Sequence, residues 1–188
     1  SGEYKLMGMA PYGDLNSKEV DNFISIIKRE LITLFPDGSF RLNQRYFNYA
    51  TGLRMVKDKK WQKLFGIEKR RAESIISQQH CNLAIAIQKV TEEVVLLLAK
   101  EAKRLTGLDS ICLAGGVALN CVSNGVLQRS GIFSEMYIQP ASGDAGGALG
   151  AALAGYYIYF KKDRSVATVK YDLMKGSFLG PSFSNKEV

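Results

Sequence analysis

The fold is decided between residues 111 and 153, where the chain reads ICLAGGVALNCVSNGVLQRSGIFSEMYIQPASGDAGGALGAAL. The apolar run at residues 111–114 has the length of a buried strand. Gly115 and Gly116 follow it directly, and the pattern after them predicts a helix over residues 117–129. The segment therefore opens with a strand, a glycine loop and a helix.

The same order is then repeated. Residues 136–138 predict a second strand, residues 140–143 a loop, and residues 144–160 a helix rich in glycine and alanine. Strands that alternate with helices in this way are typical of an α/β layer with a parallel pair of strands. The fold class that we predict is therefore α/β.

The chain before this segment predicts mainly helices. In order, the predicted elements are a loop at residues 5–13, a helix at 18–35 begun by Ser17, a turn at 36–38, an extended piece with a core aromatic cluster at 40–49, a small helix at 61–65, and a helical stripe at 72–105 that ends at Gly107. The stripe is one long helix or two joined near His80, which we expect to pack against the insertion. We divide the chain into a loop and helical insertion (1–71), a long helix with the βαβα segment (72–160) and a tail (161–188).

Composition excludes several classes of protein. The 188 residues are 46% hydrophobic and 23% charged, which excludes a disordered chain. The apolar run at residues 94–99 is too short to cross a membrane, and no signal peptide pattern is present, so we expect a soluble protein. Three cysteines without CxxC spacing indicate reduced thiols and the cytoplasm.

The net charge of +7 could attract polyanions. The basic residues are scattered, however, and those between residues 57 and 71 lack the interleaved aromatic residues of a nucleic-acid platform. We interpret them as a solvated face, and we do not expect a nucleic-acid partner. The chain starts at Ser1 without a methionine, which predicts a piece of a longer protein.

Two glycine loops are the candidate ligand sites. Ligands of α/β sheets bind beyond the carboxyl ends of strands, where helix N-termini offer free N–H groups. Gly115 and Gly116 would let a phosphate or ribose approach the backbone, although a tight turn needs glycine for steric reasons alone. Gly143, Gly146 and Gly147 line the start of the following helix.

Asp144 lies within the second loop and has two possible roles. It could hold a cation that bridges to phosphate, or it could cap the helix. His80 is the single histidine, so this chain alone cannot supply a histidine cluster for a metal. Neither GxxxxGK[ST] nor GxGxxG occurs, which argues against a P-loop or a Rossmann site.

These motifs together resemble the NodU/CmcH-type O-carbamoyltransferase family. The motifs that carry the resemblance stand in the family's order: GEYKLMGMAPYG (2–13), QQH leading into IAIQ (78–88), CLAGGVALNCVSNG (112–125), QPASGDAGGALGAAL (139–153) and LGPSFS (179–184). The resemblance implies one lobe of an actin-like, ribonuclease-H-like ATPase fold with a helical insertion. It also implies that a YrdC-like domain follows the LGPSFS motif in the family.

The resemblance implies a chemistry as well. Members use carbamoyl phosphate and ATP, form carbamoyl-adenylate, and pass the carbamoyl group to a hydroxyl acceptor. The transfer site holds a divalent metal, usually iron, on two histidines of an HxxxH motif and on the aspartate that corresponds to Asp144. No HxxxH occurs in this sequence, so we expect the chain alone to be catalytically silent.

The remaining expectations concern Asn120, partners and alternatives. Asn120 is expected to hydrogen-bond nucleotide or ribose, its other possible role being that of a helix-surface residue. The resemblance implies that this chain lacks the first lobe of the fold. The face toward that lobe would be exposed, so self-association into a homo-oligomer is also expected. The alternative functions are a lobe of a sugar kinase or other actin-like phosphotransferase, and a non-catalytic interaction module.

Overall fold

The computed structural model describes residues 3–164, 175–177 and 179–187. The chain forms two compact units, one of Ser1–Cys112 with Asn120–Tyr137, the other of Leu113–Leu119 with Ile138–Val188. Much of the predicted tail, residues 165–174, lies outside the described residues.

An N-terminal helix, α1 (Glu3–Met9), and a 3-10 turn (Ala10–Tyr12) occupy the stretch predicted as a loop at residues 5–13. That prediction is wrong. Leucine, lysine and methionine favour a helix, and Pro11 lies in the first positions of the 3-10 turn, where its missing N–H costs nothing. The glycines were therefore weak breakers here.

Helix α2 (Lys18–Ile26) begins where the sequence predicts. The Ser17 hydroxyl accepts a hydrogen bond from the Glu19 N–H at 3.1 Å, as an N-cap residue does. The helix is shorter than the predicted 18–35, however, since a π-helical segment (Ile27–Leu31) follows it.

A hairpin replaces the end of that predicted helix. Strand β1 (Ile32–Leu34) pairs antiparallel with β2 (Phe40–Leu42) across the predicted turn at residues 36–38. Gly38 has a φ of 78°, a conformation that favours glycine. The β-branched residues of β1 and the proline of the turn explain why the helix ends: both fit a strand and hairpin better than a helix.

Helix α3 (Asp58–Phe65) confirms the small helix of the insertion and starts three residues before the predicted 61–65. The Trp61 indole N–H donates to the Tyr46 carbonyl at 3.0 Å. Of the aromatic cluster, Tyr46 is 8% exposed, whereas Phe40 and Tyr49 are 46% and 42% exposed. The cluster therefore belongs to the core only in part.

Helix α4 (Gln78–Thr106) is the centre of the first unit, and α1, α2 and the 3-10 turn all contact it. It is a single helix, so a break near His80 is excluded. His80 lies in its first turn, where its Nδ1 accepts the Ser77 N–H at 3.0 Å, and it lines a cavity of about 450 Å³ with residues of the insertion, as expected. Residues 72–77 lie outside the helix, contrary to the predicted start. Gly107 ends it at a φ of 66°.

Strands β3 (Ser110–Leu113) and β4 (Glu135–Ile138) form the second two-stranded sheet. Their backbone hydrogen bonds join Ser134 to Asp109 at one end and Gln139 to Leu113 at the other. The residue numbers increase in the same direction on both strands, which is the pattern of the predicted parallel pair. The predicted full burial of the first strand is wrong, because side chains alternate between half-buried and exposed positions.

The helix predicted at residues 117–129 is interrupted. A 3-10 turn (Gly116–Leu119) is followed by helix α5 (Cys121–Arg129), which packs on α4. Asn120 separates the two and caps α5. An asparagine competes for backbone hydrogen bonds within a helix and favours its N-terminus, which explains the break.

Helix α6 (Gly146–Ala154) begins two residues after the predicted start at residue 144 and continues into a π-helical segment (Gly155–Tyr159). None of its side chains is buried. The three cysteines are free, as expected; Cys81 is buried, whereas Cys112 and Cys121 are exposed. In the described part of the chain, every helix is too short or too polar to pass through a bilayer.

Candidate functional site

The two glycine loops meet in the second unit. The Gly115 N–H donates to the Ser142 carbonyl at 2.7 Å, and the Gly115 carbonyl accepts the Ala118 N–H at 3.0 Å. Gly115 has a φ of 98°, which requires glycine for conformational reasons. The structure therefore brings the AGG loop after β3 against the loop after β4, as the strand order predicts.

Gly116 and Gly147 do not need to be glycine for a conformational or steric reason. A Cβ atom built on either glycine would meet no atom within 4 Å, and neither has a positive φ. Gly143 is similar, since its Cβ would lie 3.7 Å from the Leu119 Cδ1 atom, an ordinary contact. The backbone at these three positions is open, as a site that takes a phosphate or ribose against the main chain requires.

Gly146 differs from its neighbour. A Cβ at Gly146 would lie 2.1 Å from the Ala141 carbonyl oxygen, far inside van der Waals contact. The first residue of α6 therefore has to be glycine for the loop to close on it. Sequence reasoning grouped Gly146 with the ligand-facing glycines, and its packing role is visible only in the structure.

Asp144 does not cap α6. The N-cap position belongs to Ala145, which makes no side-chain cap bond, and the Asp144 carbonyl accepts the Gly147 N–H at 3.1 Å. The carboxylate is exposed and has no hydrogen-bond partner among the described residues. Of the two roles that the sequence left open for this side chain, capping is excluded.

The described residues do not form a complete metal site. No group of three or more histidine, cysteine, aspartate or glutamate side chains in residues 3–164, 175–177 and 179–187 could hold an ion. Asp144 supplies one carboxylate, and one such ligand cannot hold a transition metal firmly against water. A metal at Asp144 needs further ligands beyond those that residues 3–164, 175–177 and 179–187 supply.

Ser142 is a residue that sequence reasoning missed. It is 6% exposed, and its hydroxyl oxygen is buried without a hydrogen-bond partner in the described structure. A buried unsatisfied hydroxyl is uncommon and costs free energy. Its carbonyl holds Gly115, and it lies two residues before Asp144. Its position in the SGD sequence was the available signal, but its burial was not predictable from that.

Asn120 lies in the first unit and is half-buried. Its Oδ1 atom accepts the Ser123 N–H at 3.0 Å and the Gln88 Nε2–H at 3.2 Å, and its Nδ2 atom donates to the Gln88 Oε1 atom at 2.9 Å. Asn120 is therefore a cap tied to α4, and a simple helix-surface role is excluded. The amide keeps one Nδ2 hydrogen available to a ligand.

Comparison with known proteins identifies relatives of the chain. A protein called "Uncharacterized protein sll1178" from Synechocystis is 51% identical over 188 residues, 100% of this chain and 29% of that protein. "Nodulation protein NolNO" from Sinorhizobium fredii is 38% identical over 80% of this chain and 20% of its own length. "Nodulation protein NolO" from Bradyrhizobium diazoefficiens is 36% identical over 80% of this chain and 24% of its own length.

The chain thus spans between a fifth and a third of the length of these relatives. The family model described as "Carbamoyltransferase N-terminus" matches residues 1–153, a range that includes both glycine loops, Asn120 and Asp144. The resemblance of the motifs is confirmed by this match, and the chain belongs to the carbamoyltransferase N-terminus family.

Proposed function

We propose that this chain contributes the glycine-loop lobe of an O-carbamoyltransferase. The full-length protein takes a carbamoyl group from carbamoyl phosphate, activates it with ATP as carbamoyl-adenylate, and transfers it to a hydroxyl of a small-molecule acceptor. The observation that carries this proposal is the Gly115–Ser142 hydrogen bond, which brings together the two loops of the family's motifs. The alternation of strands and helices supports an actin-like lobe.

In this proposal the backbone at Gly116, Gly143 and Gly147 receives the nucleotide. Open space around these glycines lets phosphate or ribose oxygens approach the main chain. The Gly147 N–H is already donated to the Asp144 carbonyl, so the N–H groups of Gly116 and Gly143 are proposed to bind the anion. The buried Ser142 hydroxyl, which has no hydrogen-bond partner among the described residues, is proposed to donate to the same ligand. Separately, and from the resemblance alone, Asn120 of the first unit is proposed to donate its remaining Nδ2 hydrogen to nucleotide.

Asp144 is proposed as one ligand of a divalent metal, iron by the resemblance, whose other ligands come from outside this chain. The carboxylate is exposed and has no hydrogen-bond partner in the described part of the chain, so coordination would break no existing bond. A bound metal would supply Lewis-acid stabilisation of developing negative charge. We also propose that the chain alone is inactive. The full-length protein is proposed to lie in the cytoplasm and to self-associate.

The experiment uses the full-length protein with ATP, carbamoyl phosphate, ferrous iron and a panel of hydroxyl-bearing acceptors, followed by mass spectrometry. The proposal expects an acceptor heavier by one carbamoyl group, dependent on all three reagents. A phosphorylated acceptor would instead identify an actin-like phosphotransferase. No product with any acceptor, together with no binding of ATP, would favour a non-catalytic interaction module.

The chain of residues 1–188 alone is the matched control. It should give no carbamoylated product under the same conditions, because one carboxylate does not complete the metal site. Turnover by this chain alone would contradict the assignment of the missing ligands to another part of the protein.

A further inference from the structure

A buried polar network joins helices α4 and α5 in the first unit. Gln88 is 2% exposed, Ser123 is 1% exposed and Glu92 is 5% exposed. Long polar side chains are rarely buried to this extent unless their hydrogen bonds are satisfied. Gln88 is therefore the residue of α4 whose burial most needs an explanation.

Hydrogen bonds account for that burial. Gln88 and Asn120 exchange a reciprocal amide pair, with Nδ2 of Asn120 donating to Oε1 of Gln88 at 2.9 Å and Nε2 of Gln88 donating to Oδ1 of Asn120 at 3.2 Å. Nε2 of Gln88 also lies 3.1 Å from Oε1 of Glu92 and 3.3 Å from Oγ of Ser123. Lys89 pairs with the other oxygen of Glu92 at 2.8 Å.

The reciprocal pair fixes which way the Asn120 amide faces. The Asn120 oxygen accepts from Gln88 and from the Ser123 N–H, and one Nδ2 hydrogen is donated to Gln88. If the Asn120 amide were rotated by about 180°, its NH₂ group would face the N–H groups of Gln88 and Ser123. An N-cap asparagine needs only the Ser123 contact to cap α5. The second and third bonds do something further: they hold the amide in one orientation.

We infer that Gln88 is a positioning residue that holds Asn120 with its free Nδ2 hydrogen as a donor to the nucleotide. The inference rests on the proposed function, in which Asn120 contacts that nucleotide. Gln88 does not touch the ligand and acts through Asn120. Such a partner raises affinity by removing the cost of ordering the contacting side chain at the moment of binding.

The test measures ATP affinity of the full-length protein by calorimetry for Gln88→Met, Asn120→Ala and the double variant. Each single variant should bind ATP roughly tenfold more weakly, the equivalent of about one net hydrogen bond. The double variant should be no weaker than Asn120→Ala, since both changes remove the same contact. Additive losses, or unchanged affinity in Gln88→Met beside a weakened Asn120→Ala, would overturn the inference.

Two control variants separate positioning from general stability. Gln79→Met removes an exposed glutamine of the same helix, whose Nε2 donates to Glu19 at 3.0 Å, and should leave affinity unchanged. Ser123→Ala removes a buried hydroxyl of the network and keeps the Gln88–Asn120 pair, so it should lower the melting temperature without weakening ATP binding. An equal loss of affinity in Ser123→Ala would show that any damage to the network has this effect, and would overturn the inference.

Gln88→Glu serves if Gln88→Met fails to fold. The new side chain has the same shape; protonated it can still donate to Asn120, whereas ionised beside Glu92 it cannot. The ratio of variant to wild-type ATP affinity should therefore fall as the pH rises, and a constant ratio would overturn the inference. If the wild-type protein binds no ATP, the proposed function itself fails; if it binds ATP and Asn120→Ala does so equally well, only the positioning inference fails.

Discussion

Two adjacent glycines at the start of α6 should respond to alanine in opposite directions. Gly146→Ala places a Cβ atom 2.1 Å from the Ala141 carbonyl oxygen, so the loop or the helix has to shift. Overpacking of this kind costs about 1–3 kcal/mol. Gly147→Ala meets no atom within 4 Å and has no positive φ. Alanine in a helix there should stabilise by about 0.4–1 kcal/mol, because it restricts the unfolded chain.

The two variants should therefore differ by at least about 1.4 kcal/mol in the stability of this segment, about tenfold in its opening equilibrium. Native-state hydrogen exchange of the amides at residues 142–154 in the full-length protein measures that equilibrium. Equal exchange rates in Gly146→Ala and Gly147→Ala would refute the distinction between a packing glycine and an open glycine. ATP affinity gives the complementary result: Gly147→Ala should weaken it despite the added stability, if the nucleotide approaches that backbone.

Three further predictions concern single side chains. Asp144→Asn in the full-length protein should leave thermal unfolding unchanged, because the carboxylate has no hydrogen-bond partner among the described residues. The iron content measured after purification should fall, and retained iron would refute the ligand role. Ser142→Ala should leave the ligand-free protein as stable or more stable, since it removes an unsatisfied buried hydroxyl, yet it should weaken ATP binding; unchanged affinity would show that the hydroxyl has no ligand. Hydrogen bonds from Arg29, and secondly from Tyr46, lower the pKa of the Glu30 carboxyl in the folded protein. The ionised carboxylate therefore adds to the free energy of unfolding above its ordinary pKa, and this stabilisation is lost as the pH falls through the lower, folded pKa. Glu30→Gln should slightly flatten the acid side of the stability profile, and an unchanged profile would contradict this.

Elements with a local chemical signal were predictable from the sequence. Ser17 begins α2 and Gly107 ends α4 because a hydroxyl cap and a left-handed glycine act through neighbouring backbone groups alone. Strand β1 was missed, since its residues continue a helical pattern and become a strand only by pairing with β2. Helix α1 was missed because contact with α4 outweighs the glycine and proline near it.

The candidate site shows the same division. The meeting of the two loops follows from the parallel pair of strands that the sequence predicts, because both loops leave the carboxyl ends of those strands. The separate reasons for each glycine were not predicted, because a positive φ at Gly115, a close approach at Gly146 and open space at Gly116 look alike in a sequence. The tie between Asn120 and Gln88 also escaped prediction, since a hydrogen bond between residues 32 positions apart depends on how α4 and α5 pack.

Helix α6 has few features of its own that stabilise it. It has nine residues, none of them buried, and two glycines lie in its first two positions. An isolated helix of this length is marginal in water, because nucleation is costly and few residues share that cost. A polypeptide that covered α6 would therefore add free energy that stabilises the helix. The amides of this helix would then exchange more slowly in such a complex than in the chain alone.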